Sequence, residues 1–182
     1  MESVKVLKDY NLDEHTIQLA GVVRESIVDG PGIRFVVFCQ GCPHHCPGCH
    51  NPATHDFDEG YPCEVSKIIA AIDQNPLLDG VTFSGGEPAC QPKGFLTLAK
   101  AVKERNLNII MYSGFTYEEL SDLSEKDAAL AELLTLVDYL IDGKYEAALR
   151  DLTLAFRGSQ NQRIIDMNQT RNTGALVSIE NF

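Results

Sequence analysis

Three cysteines, Cys42, Cys46 and Cys49, crowd into the run GCPHHCPGCHN. Their spacing, C-x3-C-x2-C, leaves no fourth thiol inside the loop. A 4Fe-4S cube normally takes four cysteines, one to each iron, so three thiols leave one iron with open coordination positions. An open position is what separates a catalytic metal site from a structural one. The loop therefore points to an iron-sulfur cluster that binds a small molecule. From the cysteines alone, structural zinc is the competing reading. Such sites close at four ligands, and Cys63, His44, His45 or His50 would supply the fourth here. Gly41, Pro43, Pro47 and Gly48 favour the cube, because a loop wrapping it must turn sharply and approach closely.

Three other runs carry residues able to do chemistry. In Ser84-Gly85-Gly86-Glu87-Pro88, glycines let backbone approach a ligand and leave carbonyl oxygens free to accept hydrogen bonds. The Glu87 carboxylate would accept from a cationic amine. A plain strand-ending turn fits the same residues. Asp142-Gly143-Lys144 is either a turn, since Asp-Gly is a common turn pair, or a carboxylate and an ammonium presented together. Ser113-Gly114 is the third run. Arg157, Asn161, Gln162 and Arg163 form a polar group that also reads as a solvated loop. Cys39 and Cys90 read as small buried residues, and His15 and His55 as surface or loop residues.

The elements that must position these residues alternate. Arg34–Cys39 (RFVVFC) is β-branched and aromatic and reads as a buried strand. Val65–Gln74 has apolar residues at helical spacing. Gly80–Ser84 is a strand, Gly94–Arg105 an amphipathic helix and Asn108–Tyr112 a strand. A helix begins at Thr116, where Glu119 three residues on completes a capping-box signal. Ala128–Leu136 is a helix, and Tyr139–Asp142 and Gln162–Met167 are strands. Residues 1–16 are polar and mixed, and read as a strand or arm. Strand–helix alternation predicts an α/β fold of βαβ units with a parallel sheet. A closed eight-stranded barrel takes about 250 residues, so 182 residues and five or six strands predict an open, partial α/β barrel in one domain. Each motif follows a strand: the cysteine loop, the Gly-Gly-Glu turn, Ser113-Gly114 and Asp142-Gly143-Lys144. In parallel α/β folds the site gathers at the carboxyl ends of the strands, which puts all four on one rim.

Composition narrows the classes further. Hydrophobic residues make up 44% and charged residues 23%, an ordinary globular mix. The net charge of −11 lacks the basic patch of a nucleic-acid binder. It is expected to solvate the surface or to steer a partner with a basic face. No apolar run approaches the length of a membrane span, and MESVKVLKDY has no apolar signal core. Six cysteines, four of them bunched and without an export signal, predict metal binding in a reducing cytoplasm rather than a disulfide framework.

Taken together, these residues resemble the radical S-adenosylmethionine superfamily, which pairs C-x3-C-x2-C with a Gly-Gly-Glu turn after the second strand. The run Asp29-Gly30-Pro31-Gly32-Ile33-Arg34 is similar to that of the glycyl-radical-enzyme activating proteins. The CPGCHN form of the loop, the run from Ser113 to Leu120 (SGFTYEEL) and the late FRGSQNQRIID stretch resemble more narrowly the activating proteins of anaerobic ribonucleoside-triphosphate reductase. The resemblance covers residues 16–168. Residues 1–15 and 169–182 carry no part of it. One departure is Gly48, where the superfamily often has an aromatic residue before the last cysteine.

The resemblance implies that Cys42, Cys46 and Cys49 ligate a 4Fe-4S cluster. It implies that S-adenosylmethionine chelates the fourth iron through its amino nitrogen and carboxylate oxygen. The Gly85-Gly86-Glu87 turn, with Ser84 and Ser113 nearby, would receive the methionine end, and Asp142 and Lys144 match a catalytic Asp-x-Lys pair. Reductive cleavage would yield methionine and a 5′-deoxyadenosyl radical that takes hydrogen from a glycine of the reductase. A flavodoxin or ferredoxin is the implied electron donor. The partner's loop would have to reach the cofactor through an open rim. Two rivals remain: an activase of another glycyl radical enzyme such as pyruvate formate-lyase, and a zinc-binding interaction module. The first usually carries a ferredoxin-like insert with further cysteine runs, which this sequence lacks.

Overall fold

A computed structural model describes residues 12–182, so the arm expected over residues 1–15 falls, up to residue 11, outside the described residues. The elements run β1 (Thr16–Ser26), β2 (Arg34–Cys39), β3 (Tyr61–Glu64), α1 (Val65–Asp73), β4 (Gly80–Gly85), α2 (Pro92–Glu104) and β5 (Asn108–Tyr112). They continue α3 (Tyr117–Ser124), α4 (Ala128–Leu136), β6 (Tyr139–Asp142), β7 (Arg163–Asp166), α5 (Met167–Thr173) and β8 (Ser178–Ile179). All eight strands join one sheet in the order β3-β1-β2-β4-β5-β6-β7-β8.

The α/β class holds, but the expected five or six parallel strands need correction. Only β2, β4, β5 and β6 run parallel; β1, β3, β7 and β8 add on antiparallel. A parallel return needs a long crossover, usually a helix. Each link between the four central strands contains one. The link from β6 to β7 contains only a short 3-10 turn at Ala147–Leu149, and β7 accordingly folds back antiparallel. β1 is hard to read locally because its alternation fades after Ile17 and Leu19, with most later positions exposed.

Period-2 alternation sends side chains to two faces. Phe35, Val37, Val81, Phe83, Ile109, Met111, Leu140 and Ile165 point to one face and form the main core. The helices supply the other half of that core at 3.6-residue spacing: Val65, Ile68 and Ile72 from α1, Phe95, Leu98, Ala99 and Val102 from α2, and Leu130, Leu133 and Leu134 from α4. Thr116 and Glu119 form the expected capping box at α3. Asp127 caps α4 by accepting from the Ala129 and Leu130 amides. The opposite face carries a smaller apolar group of Ile110, Ile141 and Ile164, with Tyr112, Tyr139, Phe156 and Ile179 against it.

Arg34 starts β2 on this second face and is fully buried. Its guanidinium donates to Thr82 Oγ1 at 2.6 Å and to the carbonyls of Val81 at 2.9 Å and Asn108 at 3.4 Å. Thr82 Oγ1 in turn donates to the Asp29 carbonyl, and the Ile33 amide donates to Asp79. The DGPGIR run thus ties together the amino ends of β2, β4 and β5, the end of the sheet away from the cysteine loop.

Candidate functional site

The cysteine loop leaves the carboxyl end of β2 and is held from both sides. Gly41 and Cys42 donate backbone hydrogen bonds to Thr54 and His55, and the Gly86 and Glu87 amides donate to the carbonyls of Cys39 and Gly41 at 2.8 and 2.9 Å. These last bonds explain the glycines at the end of β4. A Cβ on Gly86 would stand 2.3 Å from the Gly41 carbonyl oxygen, and one on Gly85 2.5 Å from the Cys39 nitrogen. The room that glycine provides here is filled by the cysteine loop's own backbone.

Glu87 is fully buried, and both carboxylate oxygens are engaged. The Ala89 amide donates to Oε1 at 3.0 Å, the Gly114 amide to Oε2 at 2.9 Å, and Ser113 Oγ lies 3.0 Å from each. His44, from inside the cysteine loop, places Nε2 2.9 Å from Oε2 with its side chain 5% exposed. The His44 ring packs edge-on against Phe115 so closely over Gly114 that a Cβ there would meet it at 2.3 Å. One carboxylate therefore joins the loop after β2, the turn after β4 and the turn after β5.

Beyond this knot lies a cavity of about 140 Å³, open to solvent on one side. Cys42, Cys46, Cys49, Ser84, Gly85, Gly86 and Ser113 all line it. The structure thus gathers most of the residues singled out in the sequence around one space. Glu87, Asp142 and Lys144 stand outside its lining. Asp142 is buried, accepting from the Tyr117 amide at 2.7 Å and from Arg163 Nε at 3.0 Å, with a second guanidinium contact. Lys144 is exposed, its carbonyl accepting from Asn161, and its charge lies close enough to Cys46 to favour the thiolate.

Several lining residues were not legible as site residues. Tyr112, Tyr145 and His55 face the cavity, beside His50, a candidate fourth ligand in the sequence, and Gln162 of the late polar group. Tyr145 packs its ring 4.9 Å from that of His50, and a Cβ on Gly48 would touch it at 3.4 Å. Gln162 accepts from the Gly158 and Ser159 amides and donates to the Gly143 carbonyl. The polar group before β7 is therefore an ordered brace between two strand-end loops rather than a solvated loop. Tyr145 and Gln162 carry no spacing signal, because long-range folding alone brings them to the rim.

Burial pushes the Cys42 thiol up to about 12 and raises Cys46 as well. Both hold protons at neutral pH until a cation displaces them, as thiolate ligation requires. Cys39 and Cys90 are raised further by burial and lie in packed surroundings, in keeping with small structural residues. None of the six cysteines is in a disulfide. Among the described residues no three of His, Cys, Asp and Glu converge on a single ion; the three thiols are arrayed around a space instead. His55 Nε2 is also buried without a hydrogen-bond partner among the described residues, at the edge of that space. Three separated thiols and an unmet polar nitrogen around an open cavity fit a multi-iron cluster with a bound small molecule.

Comparison with known proteins points to the same cofactor. Residues 28–165 match a family described as a 4Fe-4S single cluster domain, and the chain belongs to that family. The anaerobic ribonucleoside-triphosphate reductase-activating protein of Salmonella typhi is 33% identical over 145 residues, 75% of this chain and 90% of the relative. A pyruvate formate-lyase-activating enzyme of Clostridium pasteurianum is 35% identical over 128 residues, 65% of this chain and 51% of that one. The crystal structure of QueE from Escherichia coli overlaps with a TM-score of 0.42 at 17% identity, covering 56% of this chain and 53% of that one, too slight a likeness to bear on the fold. More narrowly, then, the chain is a member of the radical S-adenosylmethionine activating enzymes of the anaerobic ribonucleotide reductase type. Its cofactors are a 4Fe-4S cluster and S-adenosylmethionine.

Proposed function

We propose that this chain, acting as one radical S-adenosylmethionine domain, activates an anaerobic ribonucleoside-triphosphate reductase by installing a glycyl radical on it. The observation that carries the reading is the gathering of Cys42, Cys46 and Cys49 with Ser84, Gly85, Gly86 and Ser113 around one open cavity. A cluster held there would supply the electron for reductive cleavage of S-adenosylmethionine to methionine and a 5′-deoxyadenosyl radical, the species that would take hydrogen from a glycine of the reductase.

The chain's own residues bind and position. Cys42, Cys46 and Cys49 would hold the cluster. Gly85, Gly86 and Ser84 offer backbone and hydroxyl groups to the methionine end of the cofactor. Glu87 acts behind them, fixing the Gly85-Gly86 turn and, through His44, the cysteine loop. Asp142 positions the Gly143 turn by its pairing with Arg163, and Lys144 adds positive charge beside Cys46. Exclusion of water matters because a carbon radical reacts with stray hydrogen donors. The antiparallel strands at both flanks leave β3 and β8 as sheet edges, which supports an open partial barrel with lateral access for a partner's loop. No helix among the described residues is long and apolar enough to cross a membrane. A cytoplasmic enzyme reduced by flavodoxin or ferredoxin is the setting that suits this chemistry.

The test is anaerobic reconstitution with iron and sulfide, followed by S-adenosylmethionine, reductant and either reductase or pyruvate formate-lyase. Electron paramagnetic resonance should show a glycyl doublet on the reductase. A doublet on formate-lyase alone would move the assignment to the other activase class. A colourless protein holding one zinc would remove it altogether.

A further inference from the structure

The 178–182 segment begins as the edge strand beyond β7 and turns its apolar side chains onto the face of the sheet opposite the helices. Ser178 and Ile179 form β8, pairing antiparallel with Ile165 and Ile164 of β7. Ile179 packs against the apolar group of Ile110, Ile141 and Ile164. Phe182 sets its ring edge-on to Tyr139 at 4.9 Å and to Phe156 at 5.5 Å, while remaining 38% exposed. Arg157 holds the Glu180 carbonyl at 2.9 Å.

The same face leads to the cofactor cavity. Tyr112 packs on the apolar group, lines the cavity and donates its hydroxyl to the Phe156 carbonyl at 2.8 Å. β8 runs antiparallel to β7, toward Arg163 and Asp142 at the rim, while Phe182 turns back onto Tyr139 at the start of β6. Two paired residues and one half-exposed ring hold the segment lightly, since short edge strands with exposed flanks open at low free energy. Strand addition at an exposed edge is a general way to capture an extended peptide, with backbone bonds giving affinity and alternate side chains giving selectivity.

We infer that the edge of β7 and the Ile110–Ile141–Ile164 face form the docking surface for the extended, glycine-bearing segment of the reductase, and that residues 178–182 occupy this surface as a stand-in that the partner displaces. This rests on the function proposed above. The partner's segment adds as an antiparallel strand on β7, places an apolar side chain where Ile179 sits, and presents its glycine toward Tyr112 and the cavity. Because the surface is free only when the segment is lifted, apparent affinity is reduced by the fraction of time it is open.

The experiment compares the reconstituted wild-type chain, a chain lacking residues 178–182, and Phe182→Ala, each with purified reductase. Binding is measured anaerobically, and hydrogen exchange follows the peptide covering residues 175–182. Phe182→Ala removes the ring contacts to Tyr139 and Phe156 and leaves the strand pairing, so it serves where the deletion lowers folding yield. The expected results are tighter reductase binding for both variants, by about threefold to tenfold as the closed fraction is removed, with the larger change for the deletion. Exchange in 175–182 of the wild type should accelerate on adding reductase, and S-adenosylmethionine cleavage without reductase should be unchanged. Reductase binding that leaves 175–182 protected, or that is unchanged or weaker in Phe182→Ala, overturns the docking surface while leaving the function intact. A wild-type chain that neither binds reductase nor forms a glycyl radical on it overturns both.

Discussion

Each end of the parallel strands holds a charged residue with no exposed surface, a cation at one and an anion at the other, and the two serve different purposes. Arg34 sits at the amino ends of β2, β4 and β5, and Glu87 just past the carboxyl end of β4, roughly 17 Å away by strand rise. Both are fully buried. Arg34 meets carbonyls and a hydroxyl, so a cation is satisfied by the acceptors at strand starts. Glu87 meets two amides, a hydroxyl and a histidine, so an anion is satisfied by the donors of three loops. The first arrangement locks strands that would pair anyway. The second holds loops that have little else to hold them, and those loops carry the thiols. Fixing the rim in advance lets the site bind its cofactor without reordering, which is the benefit of preorganisation.

The sharpest test of that contrast is at the thiols. Serine at Cys42, Cys46 or Cys49 should abolish glycyl-radical formation and lower iron bound per chain, whereas alanine at Cys39 or Cys90 should keep both. Full iron content in Cys46→Ser would remove that residue from the cluster. Next in size, Glu87→Gln should lower unfolding free energy by about 3 kcal/mol, as loss of one partner in a buried charged network does. It should also reduce iron retention, because the cysteine loop loses its tie through His44. Denaturant titration and iron analysis on the same sample report the two effects separately; a destabilised variant with normal iron would show that Glu87 supports the sheet alone.

Arg34→Met should lower stability by about 2 kcal/mol, leaving buried carbonyls without a donor. S-adenosylmethionine affinity should change by less than about twofold, since well-separated sites act independently. Calorimetric binding that weakens tenfold would erase the distinction between the two ends. The smallest effect belongs to the solvent-facing charge of the rim. Arg163, which pairs with the buried Asp142, also reaches Glu118 and holds its carboxyl at about 2, below the usual carboxylate range. A depressed folded-state pKa gives stability that is present above the unfolded value near 4.5 and lost as pH falls toward 2. Glu118 is 61% exposed, so solvent screening keeps the contribution below about 1 kcal/mol. Glu118→Gln should therefore flatten the acid limb of a thermal-stability profile between pH 5 and 2 only slightly; an unchanged slope would mean the pair contributes nothing.

Much of this was legible along the chain. The thiol spacing, the Gly-Gly-Glu run and the capping box at Thr116 are local patterns, and each formed where it was read. Strands β2, β4, β5 and β6 were equally plain, because buried strands are continuous apolar runs. The flanking strands β1, β3 and β8 were not, because β1 is half exposed and β3 and β8 are two to four residues long, with too few side chains to show a period.

The sequence by itself determined which groups are available: three thiols with no fourth, glycines beside a carboxylate, and strands that end where those residues begin. Only the tertiary structure decided how they are used. It turned Glu87 inward onto His44 and Ser113, engaged Asp142 with Arg163, brought Tyr145 and Gln162 to the cavity wall, and laid residues 178–182 on β7. Each of these depends on contacts between residues far apart in the chain, whose partners are chosen by burial and hydrogen-bond satisfaction in three dimensions rather than by any local spacing.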